Sequence, residues 1–480
     1  MNLAELLDRA AVSHARRVAI RLDDEALTYR DLAAATVSAA ARLAAAGVGP
    51  GDRVGLVLPH VPAFAVWYYA ALRRGAVVVA LDPALAPRHL VRYLDDADGA
   101  AVVACSEVAR PEGSDATWLD TDTDAPAADP GPAPVVARAA DDVAAIVYTS
   151  GTTGTPKGAV LTHGNLLGNA RHVGEDLYEL AEDDVLLGVL PFFGAFGQTC
   201  VLNAAVLAGA QVTLAPRADA ARAREVIARD RVSVIAAVPS MYVSLVRDAG
   251  PDATSVRLCL SGGAALPLDV LLRVERTFGC VVLEGYGLSE ASPVVAFNRI
   301  DRRLIGSVGQ PMPGVEVRVV GPEGREAGVG ETGEILVRGH NVMAGYWRRP
   351  EGSRLALDGG WLHTGDLGRR DADGFVHLVD RAGEVLVRAG EPVYPREIEE
   401  VLYDHPAVAE AAVVEVAEGA ELVAFVTLRP GAPSDPAPLV RHLQQLPAHA
   451  RPTHVEVVAD LPKTSTGKIL KRSLRMAVHS

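Results

Sequence analysis

Short apolar runs alternate with amphipathic stretches along most of this chain, and that alternation restricts the fold more than any other feature. "RVGLVL" at 53–58 is followed by "PAFAVWYYAALRRG" at 62–75 and then "AVVVAL" at 76–81. Strand, helix and strand at this spacing imply a crossover connection and hence parallel pairing. The rhythm returns in "QVTLAP" at 211–216, "VSVIAAV" at 232–238 and "VRLCLSG" at 256–262. These runs predict a large N-terminal α/β portion with parallel sheets. From Gly306 to Asp380 closely spaced strands broken by Gly and Asp predict a small β-rich, antiparallel subdomain. Residues 381–480 carry a helix of their own, "PREIEEVLYDHP", and strands of their own, which predicts a separate α+β domain. A chain of 480 residues is too long for one core, so the expected division is 1–380 and 381–480.

Other signals exclude more than they assign. Lys and Arg number 46 against 60 Asp and Glu, a formal net charge of -14, and they form no basic stripe. Nucleic acid is therefore not an expected partner, because phosphate backbones are bound by clustered Lys and Arg. There is no apolar leader core and no run of about 18 uninterrupted apolar residues, so neither export nor a membrane span is expected. The cytoplasm is the expected location. Cys105, Cys200, Cys259 and Cys280 lie far apart without a C-x-x-C pair, which suits buried apolar thiols rather than a zinc site or a disulfide framework. Residues 106–142, acidic and rich in Pro and Ala, read as a surface excursion with a short strand around Trp118.

The chemistry begins at "YTSGTTGTPKGAV", residues 148–160. An apolar strand, Val143–Tyr148, runs into a loop of Thr, Ser, Gly and Pro ending on Lys157. Such a loop can turn backbone N–H groups and hydroxyls onto a polyphosphate, with the lysine supplying charge. The spacing is not that of the G-x-x-x-x-G-K-[ST] loop, since Lys157 follows Pro156 and precedes Gly158. Taken alone, the stretch is also compatible with a flexible turn between strands.

The loop resembles the phosphate-binding loop of the adenylate-forming superfamily, which includes acyl- and aryl-CoA synthetases, and four further motifs follow in that family's order. The resemblance implies that Thr149, Ser150, Gly151, Thr152, Thr153, Gly154 and Lys157 hold the phosphates of ATP. "EGYGLSE" at 284–290 resembles the family's Y-G-x-[ST]-E. Read from its residues, it is a turn whose glycines let the backbone approach a nucleotide, with a hydroxyl and a carboxylate placed for a hard cation. By resemblance Tyr286 and Gly287 lie at adenine, and Ser289 and Glu290 serve ATP, with Glu290 also binding Mg²⁺. "SGGAAL" at 261–266 is similar to another wall of the nucleotide and acyl pocket, which by resemblance assigns Gly263 and Ala264 to ATP and Gly262, like Gly285, to the acid.

"GWLHTGDLG" at 360–368 places Asp366 at an expected strand end, where a carboxylate can accept from two ribose hydroxyls; without context it would be a hairpin cap. Arg381, in "VDRAGEVLVRAGEPVYPREIEE" at 379–400, matches the family arginine at the boundary between the domains. Gly383 stands where the family usually carries the Lys or Asp about which the small domain swings. Glycine still permits that rotation, without the usual polar contacts. "PKTSTGKILKRSLR" at 462–475 resembles the C-terminal P-K-T-x-x-G-K-[IL], which makes Lys468 the expected catalytic lysine, with Glu290 as its catalytic partner. An ammonium on a loop could meet a carboxylate and the α-phosphate together.

Two departures bear on substrate and acceptor. In "LPFFGAFGQ" at 190–198, Phe193 and Gly194 fall in the acyl-site motif, and Gly194 replaces a frequent His. Phe192, Phe193 and Phe196 suggest an apolar or aromatic wall, some of them facing the core, and the Phe-Asp pair with which α-amino-acid adenylation domains hold an ammonium is missing, which argues against free α-amino acids. Lysines that several relatives place near CoA are replaced by Gly383, Val387 and Ala389. The resemblance thus implies ATP-dependent activation of a small carboxylic acid to an acyl-adenylate, with ATP, Mg²⁺ and CoA as cofactors and co-substrates. The alternatives are delivery of the adenylate to a carrier protein, an amine or another acceptor, and a nucleotide-binding regulator without turnover.

Overall fold

The computed structural model describes residues 1–110, 116–121, 133–149, 157–215, 220–247, 255–321, 324–388, 391–416, 421–429, 431–464 and 467–477. Among them, nine strands form one sheet. From edge to edge it runs Gln310–Pro311, Val294–Phe297, Val281–Gly287, Leu258–Ser261, Val234–Ala237, Val185–Gly188, Gln211–Leu214, Val18–Leu22 and Glu25–Thr28. The six strands from Val281–Gly287 to Val18–Leu22 pair in parallel. In a second sheet of seven strands, Arg53–Val57 and Val77–Ala80 are parallel neighbours joined through the helix Pro62–Arg73, as the sequence rhythm requires. All four residues of Val77–Ala80 are buried, because helices cover both faces of a parallel sheet. Proline opens the helix Pro62–Arg73, where its missing N–H is unneeded.

One apolar core joins the two sheets, from Leu3 through Tyr68, Leu161 and Val201 to Val376. A second lies between the far face of the nine-stranded sheet and the helices Ala220–Asp230, Pro239–Val246 and Leu268–Phe278. The strands Val315–Val320, Gly333–Gly339, Leu362–Arg370 and Val376–Arg381 form the expected antiparallel sheet. Two further apolar clusters contain only residues from Leu386 onward, packed around the strands Val408–Val416, Glu421–Leu428 and His454–Val457. Among the described residues no helix is long and apolar enough to cross a membrane.

Three local expectations are corrected. Gly285 and Gly287 are not in a turn; they lie within the strand Val281–Gly287. A Cβ at Gly287 would stand 2.2 Å from the Pro293 carbonyl oxygen, so glycine is needed there for close approach of two backbones. Asp366 lies inside the nine-residue strand Leu362–Arg370, not at a strand end, directly across from Arg381. Cys105 is half-buried, whereas Cys200, Cys259 and Cys280 are buried; all four are free thiols. Within the excursion, Thr117–Asp120 forms the short strand expected around Trp118 and pairs with Gly99–Ala104.

Candidate active site

Four neighbouring parallel strands deliver the 190–198, 261–266 and 284–290 motifs, because their carboxyl ends point the same way. Gly188 leads to the 190–198 segment, Ala237 to Ser240, Ser261 to Gly262 and Gly263, and Gly287 to Glu290. The crevice beyond such strand ends is where open α/β sheets bind ligands.

Across this crevice stands Asp366, only 8 % exposed. Tyr286 donates a hydrogen bond from its hydroxyl to Asp366 Oδ2 at 2.6 Å, and Arg381 Nε lies 3.2 Å from Oδ1. Thr364 Oγ1 accepts from the Asp366 N–H at 3.0 Å and donates to the Ile335 carbonyl, which fixes the strand beneath the carboxylate. Burial and the Asp366 charge push the Tyr286 phenol well above its ordinary range, so it stays a donor.

The C-terminal motif reaches the same place. Thr464 holds the turn by accepting from the Gly467 N–H at 2.9 Å through its carbonyl and from the Lys468 N–H at 3.0 Å through its hydroxyl. Ser240 donates to the Gly467 carbonyl at 3.1 Å and so ties the turn to the large sheet. A Cβ at Gly263 would lie 3.4 Å from Lys468 Cε. Lys463 pairs with Glu410 and Asp460, and Lys471 pairs with Glu384 and Glu399. Lys468 makes no ion pair among the described residues. Its side chain is exposed, yet the protein crowded around it lowers its pKa. The Arg381 charge adds to that effect, while Asp366 and Glu290 oppose it.

Glu290 belongs to a second cluster that meets the first at Lys468. Its Oε1 accepts from the Tyr346 hydroxyl at 2.9 Å, and the Lys157 ammonium lies 5.1 Å from the centre of the same Tyr346 ring. Lys157 opens the strand Lys157–Thr162 opposite Thr149 on Val143–Thr149. Ser289 and Glu290 form a short 3-10 turn after Gly287. Ser150, Gly151, Thr152, Thr153 and Gly154, together with Gly390, lie outside the described residues.

Of the residues expected at the acid, Gly262 and Gly285 lie together beside Phe196. A Cβ at Gly262 would touch Phe196 Cζ at 3.3 Å and the Gly285 carbonyl oxygen at 3.6 Å. Among the described residues a Cβ at Gly194 would meet only the Pro191 carbonyl oxygen, at 3.7 Å, so this position is open to them. Phe193 is half-buried, while Phe192 turns into the core against Phe64 and His60 and leaves the apolar wall. Ala264 is exposed, and Gly383 sits in a short turn where, among the described residues, no atom beyond its chain neighbours comes within 4 Å of a Cβ position. Tyr346, Ser240 and Thr464 were not singled out from the sequence. "MAGYW" at 343–347 was the available signal for Tyr346.

Residues 7–347 match the family described as AMP-binding enzyme, and residues 397–468 match the AMP-binding enzyme C-terminal domain. A long-chain-fatty-acid–CoA ligase of Bacillus subtilis is 32% identical over 98% of this chain and 94% of its own length. A feruloyl-CoA synthase of an Amycolatopsis species is 36% identical over 95% of each. The crystal structure of ATP-bound MatB from Rhodopseudomonas palustris superposes with a TM-score of 0.89 at 34% identity, covering 99% of both chains.

Proposed function

The chain belongs to the AMP-binding enzymes of the adenylate-forming superfamily, and on that premise we propose that it activates a small carboxylic acid with ATP and transfers the acyl group to CoA. In the first step a carboxylate oxygen bonds to the α-phosphorus, the bond to the β-phosphate bridging oxygen breaks, and pyrophosphate leaves. In the second a thiol attacks the acyl carbon and AMP leaves. No side chain need form a covalent bond, so the protein's work is positioning and charge compensation.

The observation that carries this reading is the Asp366 cluster with Tyr286 and Arg381 together with the seating of the Lys468 side chain against Gly263, its turn tied to the large sheet by Ser240. Asp366, whose oxygens meet Tyr286 and Arg381, keeps lone pairs that can accept from ribose hydroxyls, and Tyr286 beside it forms a wall for adenine. Lys157 and the 149–154 segment take the outer phosphates. Lys468 lies where the incoming carboxylate and the α-phosphate repel one another. Its depressed pKa in the protein alone becomes an advantage, because two arriving anions favour the charged ammonium that the surroundings disfavour. Glu290 suits Mg²⁺, which takes one or two carboxylates and draws its other ligands from phosphates and water. Mg²⁺ held there would neutralise phosphate charge.

We assign the nucleotide and acid to residues 1–380 and Lys468 to a mobile unit, 381–480, turning about Gly383. Withdrawal of Lys468 after the first step would open a path for the thiol. Phe196, Gly262, Gly285 and the open position at Gly194 support an uncharged acyl group. ATP and CoA as substrates fit the cytoplasm.

The test incubates purified protein with ATP, Mg²⁺, CoA and a panel of aliphatic and aromatic acids. Acid-dependent release of AMP and pyrophosphate, with the acyl-CoA seen by mass spectrometry, is expected. ADP with phosphate, or AMP released without regard to the acid, would refute the reading. Adenylate formed but never converted to a CoA thioester would refute CoA alone.

A further inference from the structure

Tyr346 touches both charged groups of the phosphate end of the cleft, and its own position is set by a segment stitched to each of them. The Met343 N–H donates to the Glu290 carbonyl at 2.8 Å, the Ala344 N–H to the Val160 carbonyl at 2.9 Å, and the Trp347 N–H to the Gly158 carbonyl at 2.8 Å. Five residues thereby bridge the backbone of Glu290 to the strand that opens with Lys157. The two-residue strand Gly345–Tyr346 pairs antiparallel with Ala159 and Val160. Ser353 accepts from the Tyr346 N–H at 2.8 Å and donates to the Arg349 carbonyl at 2.8 Å, so the backbone under the ring is anchored from its other side.

From this geometry we infer that Tyr346 is a positioning residue for the metal-bearing nucleotide: its hydroxyl aims the Glu290 carboxylate at the divalent cation and its ring face seats the Lys157 ammonium beside the outer phosphates. The inference rests on the adenylating reading given above. The hydroxyl donates to Oε1, which restrains rotation of the carboxylate and leaves Oε2 for a cation. The ring attracts the ammonium through its negative face while leaving the N–H donors available. Partners one shell out from a metal fix the orientation of the ligand, and their loss typically costs about 10-fold to 100-fold in metal affinity.

The two contacts separate by mutation. Tyr346→Phe keeps the ring and removes the hydroxyl; Tyr346→Leu removes both. Binding of a non-hydrolysable ATP analogue would be followed by calorimetry at increasing Mg²⁺, with the melting temperature of each variant recorded alongside. For Y346F the Mg²⁺ concentration at half-saturation should rise about 10-fold or more, with metal-free nucleotide binding unchanged. Y346L should also weaken metal-free binding. Glu290→Gln should abolish the difference between Tyr and Phe at 346, because the hydroxyl then has no carboxylate to aim. An unchanged Mg²⁺ midpoint in Y346F, or an equal loss with and without Mg²⁺, would overturn the inference. Failure of the wild-type protein to bind the analogue would instead count against the adenylating reading itself.

Discussion

Asp366 receives the Tyr286 hydroxyl at 2.6 Å although 80 residues separate them in sequence, and this contact joins the antiparallel sheet to the nine-stranded one at the floor of the cleft. Asp366→Asn keeps an acceptor for Tyr286 and removes the charge that Arg381 faces. Loss of a hydrogen bond to a charged group is worth about 1.5–3 kcal/mol. The KM for ATP is accordingly expected to rise about 10-fold to 100-fold, with the KM for the acid little changed. An unaltered ATP titration would contradict the assignment of Asp366 to ribose.

Two glycines should behave oppositely. At Gly287 an added methyl group would collide with the Pro293 backbone, and Gly287→Ala should lower stability by about 1–3 kcal/mol. At Gly194, with φ of -99° and open space around it, Gly194→Ala should leave stability within about 0.5 kcal/mol while altering the preference among acids. Thermal melts and an acid panel read both outcomes, and a destabilised G194A would show that the position is filled.

Burial pushes the Glu284 carboxyl up to about 7, against the opposing pull of the Gly306 N–H and of Arg396 and Arg303. The folded protein thus favours the protonated acid. That contribution to stability is complete below the ordinary value of 4.5 and is lost as pH rises through about 7. Glu284→Gln should flatten the fall in melting temperature between pH 5 and 8, a difference of the order of 1–3 kcal/mol. Parallel curves for the two proteins would contradict it.

Arg429 pairs with Asp269 in the first turn of the helix Leu268–Phe278, and its Nε donates to the Val408 carbonyl at 2.8 Å. This ion pair holds residues after 381 against the large sheet in the position that brings Lys468 to the cleft. Arg429→Ala should slow adenylate formation about fivefold, as expected for a part-exposed pair worth about 1 kcal/mol. Transfer from a supplied acyl-adenylate to CoA should persist at the wild-type rate. Equal slowing of both steps would assign the pair to stability alone.

Period and spacing made the parallel α/β portion, the antiparallel sheet and the C-terminal strands legible, because each depends on neighbours close in sequence. Gly285 and Gly287 misled, since glycine signals a turn unless the partner backbone is known, and that partner, Pro293 to Phe297, is placed only by strand pairing. Asp366 was singled out for its chemistry, but its mid-strand position follows from a register with Arg381 that no local pattern encodes. Tyr346 escaped notice because its contacts with Glu290 and Lys157 span 56 and 189 positions and arise only when Gly345–Tyr346 joins an edge of the seven-stranded sheet. Phe192 was identifiable as apolar, but which side of the segment faced the core depended on His60 and Phe64.

Lys468→Ala offers the most direct test, read by acid-dependent exchange of labelled pyrophosphate into ATP. Removing an ammonium aimed at charge that develops in the reaction should cut exchange by about 100-fold to 1,000-fold, while ATP binding and acyl transfer from a supplied adenylate continue. Exchange at the wild-type rate in K468A would contradict the account at its centre.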